Sequence, residues 1–188
     1  ASVNLFKNKK FITKKEQAPF PVLLHPPQSS DEYMDWEILL KKVNTDLLKL
    51  GFNYSVDVQK VKNKFKNLYN VELNDGSNTY GLHEVGYGLT KILPILFNLN
   101  YFRLLYNDDG IIIIREPESN IHPAAQSSIA EILVNPNKDE KSARVIVETH
   151  SEHFIRGVQL EIAKGNISKD DVSILYVGKR KNGNSYIK

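Results

Sequence analysis

Residues 111–114 are an uninterrupted run of isoleucine, Ile111 to Ile114, and it passes directly into Arg115, Glu116, Pro117 and Glu118. A short β-branched run with no polar break suits a strand covered on both faces. It is best read as a central strand of a mostly parallel sheet. The pattern returns at ARVIVETHSEHF, residues 143–154, where a second apolar run ends in Glu148, Thr149, His150 and Ser151. In open α/β sheets, ligands gather beyond the carboxyl ends of the strands. Parallel neighbours would deliver both polar ends to one rim, with Glu116 and Glu118 near the sheet's edge. Carboxylates there can hold a magnesium ion or orient a water, and a histidine can donate a hydrogen bond to a phosphate oxygen. The bland alternative is two strands that simply leave the sheet into solvent.

The rest of the chain supports a layered α/β arrangement. Residues 1–28 end in the proline-rich PFPVLLHPPQ, which disfavours a long helix and reads as an irregular or extended connection. Its first residues are expected to pair with something outside the chain. Residues 30–50 carry Met34, Ile38, Leu39, Val43, Leu47 and Leu50 at helical spacing, with Ser29 and Glu32 as a capping box and Gly51 as a stop. Residues 52–73 read as short strands, followed by a turn at Asn74-Asp75-Gly76. The segment ILPILFNLNYFRLLY reads as a buried helix with Pro94 near its start, where proline is tolerated. A turn at Asn107–Gly110 precedes the isoleucine run, and the polar loop NPNKDEKS follows helix 123–134. Ser151 can cap a helix running to Ala163, with His153 upon it as an exposed or structural residue. Val172 to Val177 reads as a third strand of the same sheet, and a last short strand follows the turn at Asn182-Gly183-Asn184. Alternating strands and helices imply a parallel sheet with right-handed crossovers.

Composition removes several function classes. With 188 residues and no cysteine, the chain can form a sizeable core but holds no disulfide scaffold, zinc ribbon or cysteine nucleophile. No apolar run approaches the roughly 20 residues that span a bilayer, and ASVNLFKNKK has no signal-peptide character. The chain therefore reads as cytoplasmic, without a membrane partner. Neither HExxH nor a nucleophile-elbow spacing occurs, so a zinc site on His150 and His153 and a Ser151 nucleophile are both poor fits. Charge is uneven: residues 1–66 hold 12 lysines against 7 acids. Lys7, Lys9, Lys10, Lys14, Lys15, Lys60, Lys62, Lys64 and Lys66 form clusters that can meet the phosphate backbone of duplex DNA, or simply make a solvated face. No recognition helix or base-reading motif accompanies them.

A third segment bears on phosphate chemistry. Gly86-Tyr87-Gly88-Leu89-Thr90-Lys91 places glycines, a hydroxyl and a cation at a helix start, where first-turn amides and the helix dipole favour anions. Alone the signal is weak. No GxxxxGKS or GxxxxGKT phosphate loop occurs in the sequence.

Taken in order, a glycine-rich segment, an apolar strand with an acidic pair, a loop with His122-Pro123, and a strand ending in ETHSEHF, these motifs resemble ABC-type ATPase heads of the SMC, Rad50 and OLD-like group. Nearest in look are stand-alone bacterial AAA-family (ABC-like) ATPases of anti-phage defence and DNA maintenance. The resemblance covers about residues 80–178. It implies a P-loop NTPase-like layered sheet with helices on both faces, of which residues 80–188 are the C-terminal part of the core. Residues 1–79 would then be the irregular connection, helix and short strands of the insertion before the signature. It further implies ATP and Mg²⁺ as cofactors, and hydrolysis of ATP to ADP and phosphate between two heads. Gly86, Gly88, Thr90 and Lys91 would touch the γ-phosphate of the partner's ATP. Glu116 would polarise the attacking water or take the metal; Ser119, Asn120 and His122 would cross the dimer interface; His150 would be the switch histidine.

Two departures from that pattern matter. Arg115 stands where the family carries its magnesium-associated acid, and a guanidinium cannot coordinate a metal. Arg115 is free instead to pair with Glu118 or a phosphate, or to mark a hydrolysis-poor, ATP-gated scaffold that recruits an effector nuclease. The phosphate loop and the final helices are missing as well. The partner is then a second head or the missing N-terminal half, and residues 1–188 alone are expected to be inactive.

Overall fold

The computed structural model describes residues 2–6, 10–14, 30–61, 68–105, 111–134 and 144–188. Strand β1 (Ser2–Phe6) pairs antiparallel with β2 (Lys10–Lys14), Ser2 opposite Lys14. The first residues thus pair with their own neighbours in the chain. The cap at Ser29, the prolines of residues 19–27, the side chain of Met34, the turn at Asn107–Gly110 and the loop after helix 123–134 lie outside the described residues. So do the side chains of the lysine clusters.

Helix α1 (Ser30–Lys49) buries one stripe, with Leu39, Val43, Leu47 and Leu50 nearly inaccessible, while Ile38 falls off the stripe and is exposed. Strands β3 (Ser55–Val61), β4 (Leu68–Asn74) and β5 (Thr79–Gly81) form an antiparallel meander. Asp75 builds the turn between the last two by accepting the amides of Ser77 and Asn78, both at 2.8 Å. Asn44 of α1 fastens the helix to the meander, accepting the Val56 amide at 2.7 Å and donating to its carbonyl at 3.3 Å.

Helix α2 (Tyr87–Leu105) is apolar on most of its circumference, as befits a helix surrounded by packing. It begins within the glycine segment, earlier than the apolar run suggests, so Pro94 lies inside it rather than at its start. Ile92, Leu93, Leu96, Phe97 and Leu99 of α2 are fully buried, and Phe97 stacks on Trp36 of α1 with ring centroids 6.4 Å apart. A polar link joins α1 and α2 across this core: Asn100 donates to the carboxylate of Asp46 at 2.7 Å.

The β-α-β unit supplies the rim. Strand β6 (Ile111–Arg115) and β7 (Arg144–Glu148) pair in parallel through α3 (Pro123–Val134), and α4 (Glu152–Ala163) follows. The face bearing Ile114 and Val147 joins the core; Ile111, Ile113 and Ile146, on the other, are exposed. Among the described residues the isoleucine run is therefore covered on one face only. Gly157 lets α4 lie against α3, where an added Cβ would stand 2.6 Å from the Ser127 carbonyl oxygen.

After a short 3₁₀ turn (Lys169–Asp171), β8 (Val177–Lys179) and β9 (Ser185–Ile187) form an antiparallel hairpin. The expected third parallel strand over Val172–Val177 is not formed. Tyr176 exchanges backbone hydrogen bonds with Lys188 at 2.9 Å, and Ile174 and Leu175 are exposed. Among the described residues parallel pairing is confined to β6 and β7, against the expectation of a mostly parallel sheet. The architecture remains a mixed α/β fold of layered sheets and helices. No helix among the described residues is long and apolar enough to cross a membrane.

Candidate active site at the ends of two parallel strands

Register places the chemistry. Arg115 and Glu148 are the last, paired residues of β6 and β7. Beyond them the chain turns sharply: Glu116 adopts φ 45°, and its amide donates to the Glu148 carbonyl at 2.7 Å. That left-handed backbone swings the Glu116 side chain to the rim, where Oε1 lies 3.9 Å from Nε2 of His150. Glu116 is half-buried; His150 and Glu148 are exposed. One ligand atom from each of the three side chains lies within 4.8 Å of the other two.

Arg115 is paired with Glu148, not with Glu118 or a free anion site. Its Nε donates at 2.7 Å and a terminal nitrogen at 3.4 Å to the two carboxylate oxygens. That hydrogen bond, and the charge behind it, holds the Glu148 carboxyl below the usual carboxylate range and raises Arg115 in return. Glu118 lies near the same strand ends, but buried. Glu118 is 7% exposed, and its Oε1 accepts from the Thr149 hydroxyl at 2.7 Å and the His150 amide at 3.0 Å.

The loop between β6 and α3 carries the remaining candidates. Asn120, at φ 63°, donates to the Ser119 hydroxyl oxygen at 3.2 Å. His122 turns Nδ1 inward to accept the Ala124 amide at 3.2 Å, which caps α3. This loop meets the glycine segment directly: a Cβ added at Gly88 would run into the carbonyl oxygen of Asn120. Gly86, Tyr87 and Gly88 thus share a groove of about 470 Å³ with Asn120, His122 and Phe52. Thr90 donates its hydroxyl to the Tyr87 carbonyl at 2.8 Å, steadying the first turn of α2, and Lys91 follows it half-buried.

The structure therefore gathers the sequence candidates into two neighbouring groups. Glu116 and His150 meet at the strand ends; Gly86, Gly88, Asn120 and His122 line the groove, with Ser119, Thr90 and Lys91 beside it. A carboxylate next to an imidazole at a sheet rim can take a proton from water and orient it against an electrophile. The ligand atoms that approach one another closely enough for a cation belong to Glu116, Glu148 and His150, and the Glu148 carboxylate among them is also bonded by Arg115. Sequence reasoning passed over Gln126, whose amide oxygen accepts from Ser151 Oγ at 2.6 Å. It also left Thr149 without a role. Ser151 caps α4 as expected, accepting the Phe154 amide at 3.0 Å.

Residues 6–155 match the AAA ATPase domain family. No curated protein matches the chain in sequence. Among solved structures, one from work on ATP-driven dimerization and DNA-stimulated activation of SMC ATPases superposes with a TM-score of 0.58 at 15% identity, covering 82% of this chain and 84% of that one. The Smc head domain of Pyrococcus furiosus, with an extended coiled coil and bound to the C-terminal domain of ScpA, gives a TM-score of 0.60 at 15% identity over 84% of this chain. That of Pyrococcus yayanosii, with a coiled coil and joint, gives 0.60 at 15% over 84%. The chain spans only 36% and 28% of the length of these last two. At such identities the likeness shows the fold alone, one that this chain shares with SMC heads.

Proposed function

This chain belongs to the AAA ATPase domain family, and from that premise we propose that it supplies half of a composite site hydrolysing ATP to ADP and phosphate between two heads. The observation that carries the reading is the 3.9 Å approach of Glu116 to His150 across the ends of two parallel strands. In this reading Glu116 polarises the attacking water and His150 senses the γ-phosphate. Gly86 and Gly88, with Thr90 and Lys91, offer the first-turn amides of α2 and charge to the triphosphate held by the partner head. Ser119, Asn120 and His122 face that partner. Mg²⁺ arriving with ATP would be met by Glu116, the remaining ligands coming from elsewhere, and would neutralise charge on the phosphates.

In this reading another part of the assembly supplies the triphosphate cradle, because no GxxxxGKS or GxxxxGKT segment occurs in this sequence. The exposure of Ile111, Ile113 and Ile146, on a face of β6 and β7 that no described residue covers, fits such a part packing there, because a parallel sheet is normally covered on both faces. Residues 80–188 then belong to the core, and residues 1–79 to the lobe preceding it. A setting in anti-phage defence or DNA maintenance, in the cytoplasm, fits the motif set.

A second reading rests on the ion pair of Arg115 and Glu148. With a guanidinium at the position of the metal-associated acid, ATP would close the heads but turn over slowly, and the closed pair would recruit a nuclease or hold duplex DNA. Phosphate release by the complete assembly separates the two. The first reading expects magnesium-dependent turnover that falls by about 10²-fold or more in Glu116→Gln, and none from residues 1–188 alone. Nucleotide-driven dimerization without turnover favours the second, and robust turnover by the isolated chain sinks both.

A further inference from the structure

A closed ring of hydrogen bonds joins the loop after β6 to the segment that carries His150. Glu118 Oε1 accepts from Thr149 Oγ1 and from the His150 amide, at 2.7 and 3.0 Å. Thr149 Oγ1 accepts the Ser151 amide at 3.0 Å. Ser151 Oγ donates to Gln126 Oε1 at 2.6 Å, and Gln126 Nε2 donates to the Ile121 carbonyl at 3.0 Å. The Ile121 amide returns to the Glu118 carbonyl at 3.1 Å and closes the ring. Glu118 and Ser151 are both buried, and Glu118 Oε2 has no partner among the described residues.

We propose that Glu118 is a positioning residue whose buried carboxylate clasps the switch segment to the interface loop, so that a displacement at Asn120 reaches His150. The physical reason is the penalty for opening the ring. A buried carboxylate that loses its donors forfeits charge-assisted bonds with no water to replace them, so the two segments move together or not at all. The input to the loop is steric: Gly88 of α2 has no room for a side chain against the Asn120 carbonyl. Any shift of the α2 N-terminus, as when an anion docks there, presses on Asn120 and is passed through Ile121 and Glu118 to the His150 backbone. The functional meaning of this route rests on the head-pair reading above; the mechanical coupling does not.

The coupling is read on the ¹⁵N-labelled chain without nucleotide, so its failure is distinct from a failure of ATP turnover. Gly88→Ala should shift the amide resonances of both Ile121 and His150. In Gly88→Ala with Glu118→Ala, the Ile121 shift should persist and the His150 shift vanish. Equal His150 shifts in both backgrounds, or a shifted Ile121 beside an unmoved His150 in the single variant, would overturn the proposal. Should Gly88→Ala not fold, Asn120→Gly perturbs the same loop without added volume and is read in the same two backgrounds. Independently, Glu118→Ala and Thr149→Val should speed hydrogen exchange at the His150 amide about tenfold, while Thr149→Ser, which keeps the hydroxyl, stays within about twofold of the parent. Acceleration by Thr149→Ser equal to that of Thr149→Val would assign the effect to packing and refute the clasp.

Discussion

Arg115 and Glu148 are register partners on adjacent parallel strands, and the guanidinium bridges the pair with nitrogen–oxygen distances of 2.7 and 3.4 Å. The cation sits beside Glu116 on the same rim. Its positive charge opposes a metal at the rim and occupies the Glu148 carboxylate. Reversing it should therefore matter more to chemistry than to folding, since both side chains are largely exposed. Arg115→Glu in the complete assembly is expected to raise magnesium-dependent phosphate release, because Glu148 is freed and a further carboxylate joins Glu116. Unchanged turnover with ATP binding intact would show that the arginine is no brake.

Backbone strain and chemistry can be separated at Glu116. Its φ of 45° lies in the left-handed region, which costs a non-glycine residue about 1–2 kcal/mol. Glycine adopts it freely but gives up a comparable amount through a more disordered unfolded chain. Glu116→Gly should consequently match the parent in urea denaturation to within about 1 kcal/mol, while the β-branched Glu116→Val loses about 1–2 kcal/mol. Both should abolish turnover in the assembly. A valine variant as stable as the glycine one would mean that this turn relaxes readily.

Contact between α3 and α4 hinges on Gly157, where a Cβ would stand 2.6 Å from the Ser127 carbonyl and 2.8 Å from the Ala130 methyl. Backbone cannot yield as a flexible side chain can. Gly157→Ala is expected to lower stability by about 1–3 kcal/mol, despite the higher helix propensity of alanine, read as a lower urea midpoint at unchanged slope. A raised midpoint would show that the two helices part without strain.

Much of this architecture was legible because periodicity is local. The runs ending at Arg115 and Glu148, the stripe of α1 and the cap at Ser151 each declare themselves within a few residues. What depends on a neighbour did not. Val172–Val177 has the composition of a strand, yet no described strand runs alongside residues 172–175, and Ile174 and Leu175 stay exposed. Ile113 looks like core and is 71% exposed, since nothing described covers that face. Helix α2 begins among glycines because Gly86 accepts the amides of Leu89 and Thr90, at 3.0 and 3.3 Å, a geometry that hydrophobic spacing does not reveal. Within the site, Glu116 and His150 stood out as polar ends of apolar runs. Gln126 and Thr149 look like ordinary surface residues until the fold joins them across 25 and 31 positions to Ser151 and Glu118.

The link between α1 and α2 gives the clearest pH signature. Asp46 is buried, and desolvation raises its carboxyl pKa above 3.8 despite the Asn100 hydrogen bond and nearby Lys49 and Arg103. With its pKa raised on folding, the native chain holds this proton more tightly than the unfolded one. The stabilisation is full below about 3.8 and is lost as pH rises through the elevated native value. Asp46→Asn keeps an acceptor for Asn100 and has no proton to lose, so its stability relative to the parent should improve from pH 4 to pH 7. Asn100→Leu takes the donor from the charged carboxylate and should cost about 1–3 kcal/mol at pH 7, and less at pH 4, where more Asp46 is protonated. Urea midpoints of the three proteins at both pH values decide it. A parent–Asp46→Asn difference that is flat between them would place the ionisation of Asp46 outside the folding equilibrium.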